Sequence, residues 1–344
     1  MLLVGLACAL VSLIGLCAVL PGRAFLDFDA VNDLAPFWLA GGLACGAWGL
    51  AHPGTRFRSA ILVLAAVTVA LQGRATLPEL AKLWVHRSAG PPGVRVMTYN
   101  LWERNVDPAQ SARAILESGA DVVALPEELG RSLEVLPLLR AAYPYRADCL
   151  SNRWCSLAMV SKRPFLASRY HQGAWSGAFP DRLALVWGIT LDRQGRPFTV
   201  AVTHFAHGGS DGDQASQRER LARALRRCRF PGMVLAGDFN TTPWSEAMRR
   251  QDRAFAPLTR RSLAIASWPD RLPARGIPMP APFLPIDHVY AAPEWRTAAI
   301  RRGGRGGSDH YPVIVDLVRS GRASTVDPAT PRASCADGGD GRGA

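Results

Sequence analysis

Apolar residues fall into two regimes along the chain: long unbroken stretches before residue 75, and short runs ended by polar side chains after residue 93. Residues 1–21 (MLLVGLACALVSLIGLCAVLP) carry no charge and approach the roughly 20 residues that a helix needs to cross hydrocarbon. No basic segment precedes them, so they read as a membrane helix rather than a cleavable signal. Residues 34–51 form a second apolar stretch, and 59–72 a third that is short and bounded by Arg58 and Arg74. The pattern predicts a membrane region of two to three transmembrane helices over 1–75. The first connection carries Asp27, Asp29 and Asp33 against Arg23, whereas the second carries Arg56 and Arg58. By the bias of basic residues toward the cytoplasm, the second connection is cytoplasmic. Three crossings then put everything after residue 75 outside, and two leave it inside. The expectation is a multi-pass protein of the cell membrane with its main domain extracytoplasmic.

Residues 76–93 end in Ala89-Gly90-Pro91-Pro92-Gly93 and read as a linker. The main domain, 94–318, opens with an apolar strand over 94–99 that delivers Asn100. Residues 108–118 have helical spacing, with Ala112, Ile115 and Leu116 on one face and Gly119 as the stop. A buried strand over 121–125 leads to Pro126, Glu127 and Glu128, and a second helix is expected over 132–142. Further strands are expected over 156–161, 183–191, 198–203, 233–237, 281–291 and 312–318, with an Arg-rich amphipathic helix over 214–227. Strands and helices alternate without a glycine-rich phosphate loop, and several neighbouring strands look antiparallel. This favours a mixed α/β sandwich over a doubly wound sheet. Residues 319–344 are rich in Gly, Ser, Asp, Arg and Pro and are expected to be a disordered tail.

The formal net charge is +12, with most of the excess in 94–318, which suits an anionic substrate. Only Lys82 and Lys162 are lysines, so an Arg-biased composition explains the same excess and the charge is merely permissive. The seven cysteines include no CxxC pair, which argues against a structural zinc site. Cys149 and Cys155 flank a five-residue segment short enough to bring two Cα atoms within disulfide range, and are the candidate bridge.

Taken together, the strand ends present Asn100, Glu127, His204, Asp238, Asn240, Asp287, Asp309 and His310. Glu127 with Asp309 and Asn100 is a hard-oxygen set of the kind Mg²⁺ prefers. Asp238 can orient or deprotonate a water, and Asn240 can donate to a phosphoryl oxygen without adding negative charge. His310 beside an orienting carboxylate, with Asp287 as the candidate, is an arrangement for proton transfer. Each residue alone has an ordinary structural explanation: a solvated loop, an Asx turn, a satisfied core histidine. Polar residues of these types at six separate strand ends are a site.

The stretches MTYNLW (97–102), DVVALPEE (121–128), THF (203–205), GDFNTTP (237–243), IDHVY (286–290) and SDHYPV (308–313) resemble, in order and spacing, the endonuclease/exonuclease/phosphatase superfamily. The resemblance implies a DNase I-like four-layer sandwich of two mixed β-sheets flanked by helices. It implies a hydrolase of phosphate esters dependent on Mg²⁺ or Mn²⁺, with Asn100 and Glu127 on the metal and Asp309 close to it. Asp238 and Asn240 would position water and phosphate, His310 with Asp287 would act as acid or base, and His204 matches a second histidine of the deoxyribonuclease and sphingomyelinase branches. One departure is Pro126, where the superfamily usually has Gln. The expected substrate is a nucleic acid or a phospholipid headgroup, with the membrane as the other partner and no obligate protein partner. Alternatives are a sphingomyelinase- or phosphoinositide-phosphatase-like lipid hydrolase, and a membrane-tethered binding module without chemistry. Trp175, Phe179 and Pro180 suit a substrate arm of either kind.

Overall fold

The long apolar stretches fold as helices and the short runs as strands. The computed structural model describes residues 4–5, 7–15, 29–54, 56–84, 90–152, 155–172, 183–206, 211–272, 277–320 and 334–335. Residues 4–5 and 7–15 are helical, and the rest of the first apolar stretch, 1–3, 6 and 16–21, lies outside the described residues. Asp29–Asn32 makes one helical turn, after which α1 (Ala35–Ala51) and α2 (Arg58–Ala81) pack as a helical hairpin. Small residues let them approach closely, since a Cβ at Gly42 would touch Thr68 and Val69, and one at Gly49 would press on Leu62. Helix 7–15 lies against α2, where Thr68 Oγ1 donates to the Ser12 carbonyl (2.9 Å) and Gln72 Nε2 to the Gly15 carbonyl (2.7 Å).

The third apolar stretch is not short. It is the core of α2, 24 residues and about 36 Å long, which continues through Pro78 and passes into a 3-10 turn at Lys82–Trp84. The first part of the expected linker is therefore helix. By length and composition, Arg58–Trp84 is able to cross a membrane, and Ala35–Ala51 is apolar but shorter.

The main domain comprises β1 (Val94–Thr98), α3 (Pro108–Ser118), β2 (Val122–Leu125), α4 (Val135–Leu139), β3 (Tyr145–Asp148), β4 (Ala158–Ser161), β5 (Ala167–Gln172), β6 (Ala184–Leu191), β7 (Pro197–His204), α5 (Asp211–Arg227), β8 (Cys228–Arg229), β9 (Val234–Asp238), α6 (Glu246–Ala254), β10 (Thr259–Arg260), β11 (Asp287–Ala291), β12 (Trp295–Arg302) and β13 (Val313–Arg319). One six-stranded sheet has the order β12-β13-β1-β2-β4-β3, the other β10-β11-β9-β7-β6-β5. Both are mixed, because β1–β2 and β7–β9 are parallel and the remaining pairs antiparallel.

Period-two alternation divides the core. Val94, Val96, Val122, Ala124, Val313 and Val315 join the cluster shared with the second sheet, whereas Met97, Val123 and Ile314 pack with Ile115 of α3 and Leu139 of α4. With α5 and α6 carried by the second sheet, the result is the four-layer sandwich.

The chain explains α3 locally: Asp107 accepts from the Gln110 amide (2.8 Å), Pro108 opens the helix and Gly119 closes it in a left-handed conformation (φ 65°). Over 132–142 the expected helix is a 3-10 segment, Gly130–Glu134, running into the short α4. The expected tail is shorter at its start, since β13 includes Arg319, whose guanidinium donates to the Pro197 carbonyl (2.9 Å). Within it, β14 (Ser334–Cys335) pairs with β8, and 321–333 and 336–344 lie outside the described residues, as does the 173–182 segment with Trp175 and Phe179.

Candidate active site

Strand register assembles the site. His204 pairs with Asp238 across β7 and β9, and Asp238 with Asp287 across β9 and β11, so three chemical side chains share one edge. Gly237 makes this possible: its φ is 157°, and a Cβ there would run into the Thr203 carbonyl on β7. From the facing sheet, β1 and β2 run on to Asn100 and Glu127, and the approach to β13 brings Asp309 and His310.

Asp238, fully buried, sits at the centre. The Asn100 amide joins the two sheets by donating to Asp238 Oδ2 and to Glu127 Oε1, both at 3.0 Å. Asn100 Oδ1 accepts from the Trp102 amide (2.9 Å), and Asp238 Oδ1 accepts from the Asn240 amide (2.9 Å). His204 Nε2 lies 3.6 Å from both Glu127 Oε1 and Asp238 Oδ2. The Asn240 side chain donates to the Phe205 carbonyl (2.9 Å) and lies 3.4 Å from His204 Nε2. His310 Nδ1 is 2.7 Å from Asp287 Oδ2, which aims Nε2 at Asp238 Oδ2 (3.7 Å) and Asp309 Oδ1 (4.0 Å). All eight residues expected from the strand ends thus surround one locus. Trp102, Glu127 and Asn240 have φ of 55°, 57° and 48°, so backbone strain of the kind that persists only in a firmly held frame is concentrated here.

The electrostatics follow from burial and proximity. Burial opposes a charge on His310, but Asp287, Asp238 and Asp309 outweigh it and push the imidazole up to about 10. Burial, reinforced by Asp287, moves Asp238 above the ordinary carboxylate range, and burial does the same to Asp309. Asp309 Oδ2 accepts from Trp268 Nε1 (3.2 Å), while its buried Oδ1 has no hydrogen-bond partner among the described residues. A buried hard oxygen without such a partner, in the field of the Glu127 carboxylate, fits a divalent cation. Asn100, by contrast, turns Nδ2 toward Glu127 and Oδ1 toward the Trp102 amide, so its oxygen would face a cation beside Glu127 only with the side-chain amide reversed. The ligand-type atoms of Glu127, His204 and Asp238 lie within 4.8 Å of one another, as do those of Asp238, Asp287 and His310, and Asp309 belongs to neither group.

Several residues that hold the site escaped the strand-end reading. His288, fully buried and pushed down to about 3 by burial and Arg260, is a neutral imidazole. It accepts at Nδ1 from Ser262 (2.9 Å) and donates from Nε2 to the Thr241 carbonyl (2.9 Å). Gln214 donates to the Asn240 carbonyl (3.0 Å), and buried Arg271 to the carbonyls of Ser308 (3.1 Å) and Gly306 (3.2 Å). His288 stands in the IDHVY stretch; Gln214, Trp268 and Arg271 lie in segments that carry no such signal. Cys149 and Cys155 are joined as a disulfide, with Cα atoms 5.7 Å apart. The bridged loop leads to Ser156, whose carbonyl accepts from the Glu128 amide (2.8 Å).

Solved structures share this fold. An endonuclease/exonuclease/phosphatase from Beutenbergia cavernae is 22% identical, with 68% of this chain and 73% of that one covered and a TM-score of 0.52. One from Bacteroides vulgatus is 19% identical (66% and 99% covered, TM-score 0.52), and D. rerio TDP2, complexed with a single-strand DNA product, is 13% identical (65% and 98% covered, TM-score 0.53). No curated protein sequence matches the chain. The model of the Endonuclease/Exonuclease/phosphatase family matches residues 97–310, more than half of the chain and every strand end of the site, and the chain belongs to that family.

Proposed function

We propose that the protein is a membrane-anchored, divalent-metal-dependent phosphoesterase that hydrolyses a phosphate ester by in-line attack of water. The observation that carries this reading is the position of Asp238 Oδ2, 3.0 Å from the Asn100 amide and 3.6 and 3.7 Å from the imidazoles of His204 and His310. Asp238 orients the attacking water and takes its proton. Asn240 and His204 face the phosphoryl oxygens from one side. His310, held through Nδ1 by Asp287, presents a proton at Nε2 to the leaving oxygen. Asn100, Glu127 and Asp309 would hold Mg²⁺ or Mn²⁺, which supplies Lewis-acid stabilisation of charge developing on the phosphate. The substrate is a nucleic acid or a phospholipid headgroup.

Docking of the helical hairpin supports the anchored reading. Asp33, just before α1, and Glu79, near the end of α2, both contact the main domain, the latter through an ion pair with the buried Arg260 (2.9 Å). The turn with Arg56 and Arg58 joins the other ends of the two helices. If α1 and α2 cross, the basic turn and the main domain lie on opposite sides, which favours an extracytoplasmic catalytic domain. A disulfide suits that compartment.

The test is turnover of bis-p-nitrophenyl phosphate, nucleic acids and sphingomyelin by the full chain in detergent. EDTA treatment should abolish it, and Mg²⁺ or Mn²⁺ should restore it. Full turnover in excess chelator rejects the metal assignment, and no turnover of any phosphoester with metal rejects the reading.

A further inference from the structure

Asp238 leads into the loop 239–245, where Asn240 has left-handed backbone and the chain then turns into α6. Such a loop keeps its shape only if its surroundings fix it. Gln214 holds it at the Asn240 carbonyl and His288 at the Thr241 carbonyl, both from within the main domain. The remaining side is held by a segment more than 200 residues away. Thr242 is fully buried and its hydroxyl donates to Asp33 Oδ1 (2.8 Å), while Trp244 Nε1 donates to the Asp33 carbonyl (2.9 Å). Four residues earlier, the buried Asp29 carboxylate accepts from the amides of Glu246 (3.0 Å) and Ala247 (2.7 Å). Ser245 accepts from the Met248 amide (3.0 Å), so the first three amides of α6 are all satisfied, two of them by a carboxylate from outside the domain. Asn32 donates to the same carboxylate (2.8 Å) and fixes its orientation.

We infer that Asp29 and Asp33 are positioning residues of the catalytic centre, through which the segment preceding the helical hairpin seats the loop that carries Asp238 and Asn240. Neither touches the reacting atoms. Asp33 acts through Thr242 and sets where the Asn240 amide stands relative to Asp238, and Asp29 fixes the far end of the loop at α6. The segment that leads into the hairpin in this sense supports the catalytic loop and is not a detachable anchor. The inference rests on the phosphoesterase reading for its kinetic readout only.

The experiment uses the full chain in detergent with Asp33→Ala, Asp33→Asn, Thr242→Val and the Asp33→Ala/Thr242→Val double variant, assayed on bis-p-nitrophenyl phosphate with Mg²⁺. A loop displaced by a fraction of an ångström should lower kcat about 10- to 100-fold with KM little changed. The double variant should be no slower than either single one, because both remove the same contact. Asp33→Asn keeps an acceptor oxygen and should restore the rate. Amide hydrogen exchange is the second readout: in Asp33→Ala, residues 239–245 should exchange faster while 94–98 stay protected. Unchanged kcat and exchange in Asp33→Ala, or losses that multiply in the double variant, overturn the inference. A wild-type chain without turnover sinks the phosphoesterase reading instead, and exchange then decides the positioning role by itself.

Discussion

The neutral, buried His288 makes a prediction whose size can be worked out. The unfolded chain takes up a proton on this imidazole near its ordinary value of 6.5, whereas the folded chain does so only near 3. Between those values the unfolded state carries more protons, so acidification drains stability from the fold; above 6.5 both states are neutral and nothing is lost. The difference amounts to about 2 kcal/mol between pH 8 and pH 5, and about 3 kcal/mol by pH 4. The perturbation is His288→Gln, which keeps an N–H able to reach the Thr241 carbonyl but does not titrate. Guanidinium unfolding of the full chain in detergent, followed by tryptophan fluorescence at pH 8, 6.5 and 5, gives the comparison. Between pH 8 and 5 the wild type should lose about 2 kcal/mol more than the variant. The comparison must be differential, because the Glu128 carboxyl tilts the wild-type profile the other way. Profiles that run parallel to within a few tenths of a kcal/mol would mean that His288 protonates in place, and the argument for a neutral brace would fail.

Glu128 is the mirror case: burial pushes its carboxyl up to about 8 from 4.5, so its contribution is full below 4.5 and disappears as pH rises through 8. Glu128→Gln should remove roughly 3–4 kcal/mol of that slope between pH 5 and 8 in the same unfolding series, and an unchanged slope would show that the carboxyl is solvated. At the centre of the site, Asp238→Asn and His310→Ala should each lower turnover by at least about 100-fold with unchanged circular dichroism, and near-normal rates in either variant would reject its role.

Where the sequence was legible, the reason is physical. A polar residue that ends an apolar run announces both its strand and its place at the strand's end, and Asn100, Glu127, His204 and Asp238, which the structure brings together, each stand so. Asp107, Pro108 and Gly119 bound α3 by local chemistry alone. Strands that lack an apolar run were not legible. β12 reads WRTAAIRR and owes its conformation to pairing with β13, across a register shift between Thr297 and Ala299. β5, at the edge of its sheet, reads ASRYHQ and is likewise made by its neighbour β6. The length of α2 was hidden by Arg74 and Pro78, which break the apolar pattern but not the helix.

Asp29 and Asp33 pose a different problem, since both were visible from the outset and told only half of what they do. As charges in a connection they bear on which side of a membrane that connection lies, and any acidic residue would serve. As hydrogen-bond acceptors they have specified partners, the hydroxyl of Thr242 and the first amides of α6, more than 200 residues on. No local pattern encodes such a pairing, because neither residue ends an apolar run and the donors they satisfy are a backbone terminus and a buried hydroxyl. Charge counting treats the two residues as equivalent to Asp27; the three-dimensional contacts assign them a task that a carboxylate elsewhere in the connection could not perform. The two roles are also compatible, for a segment bonded to the main domain must lie on the domain's side of any membrane that the hairpin crosses.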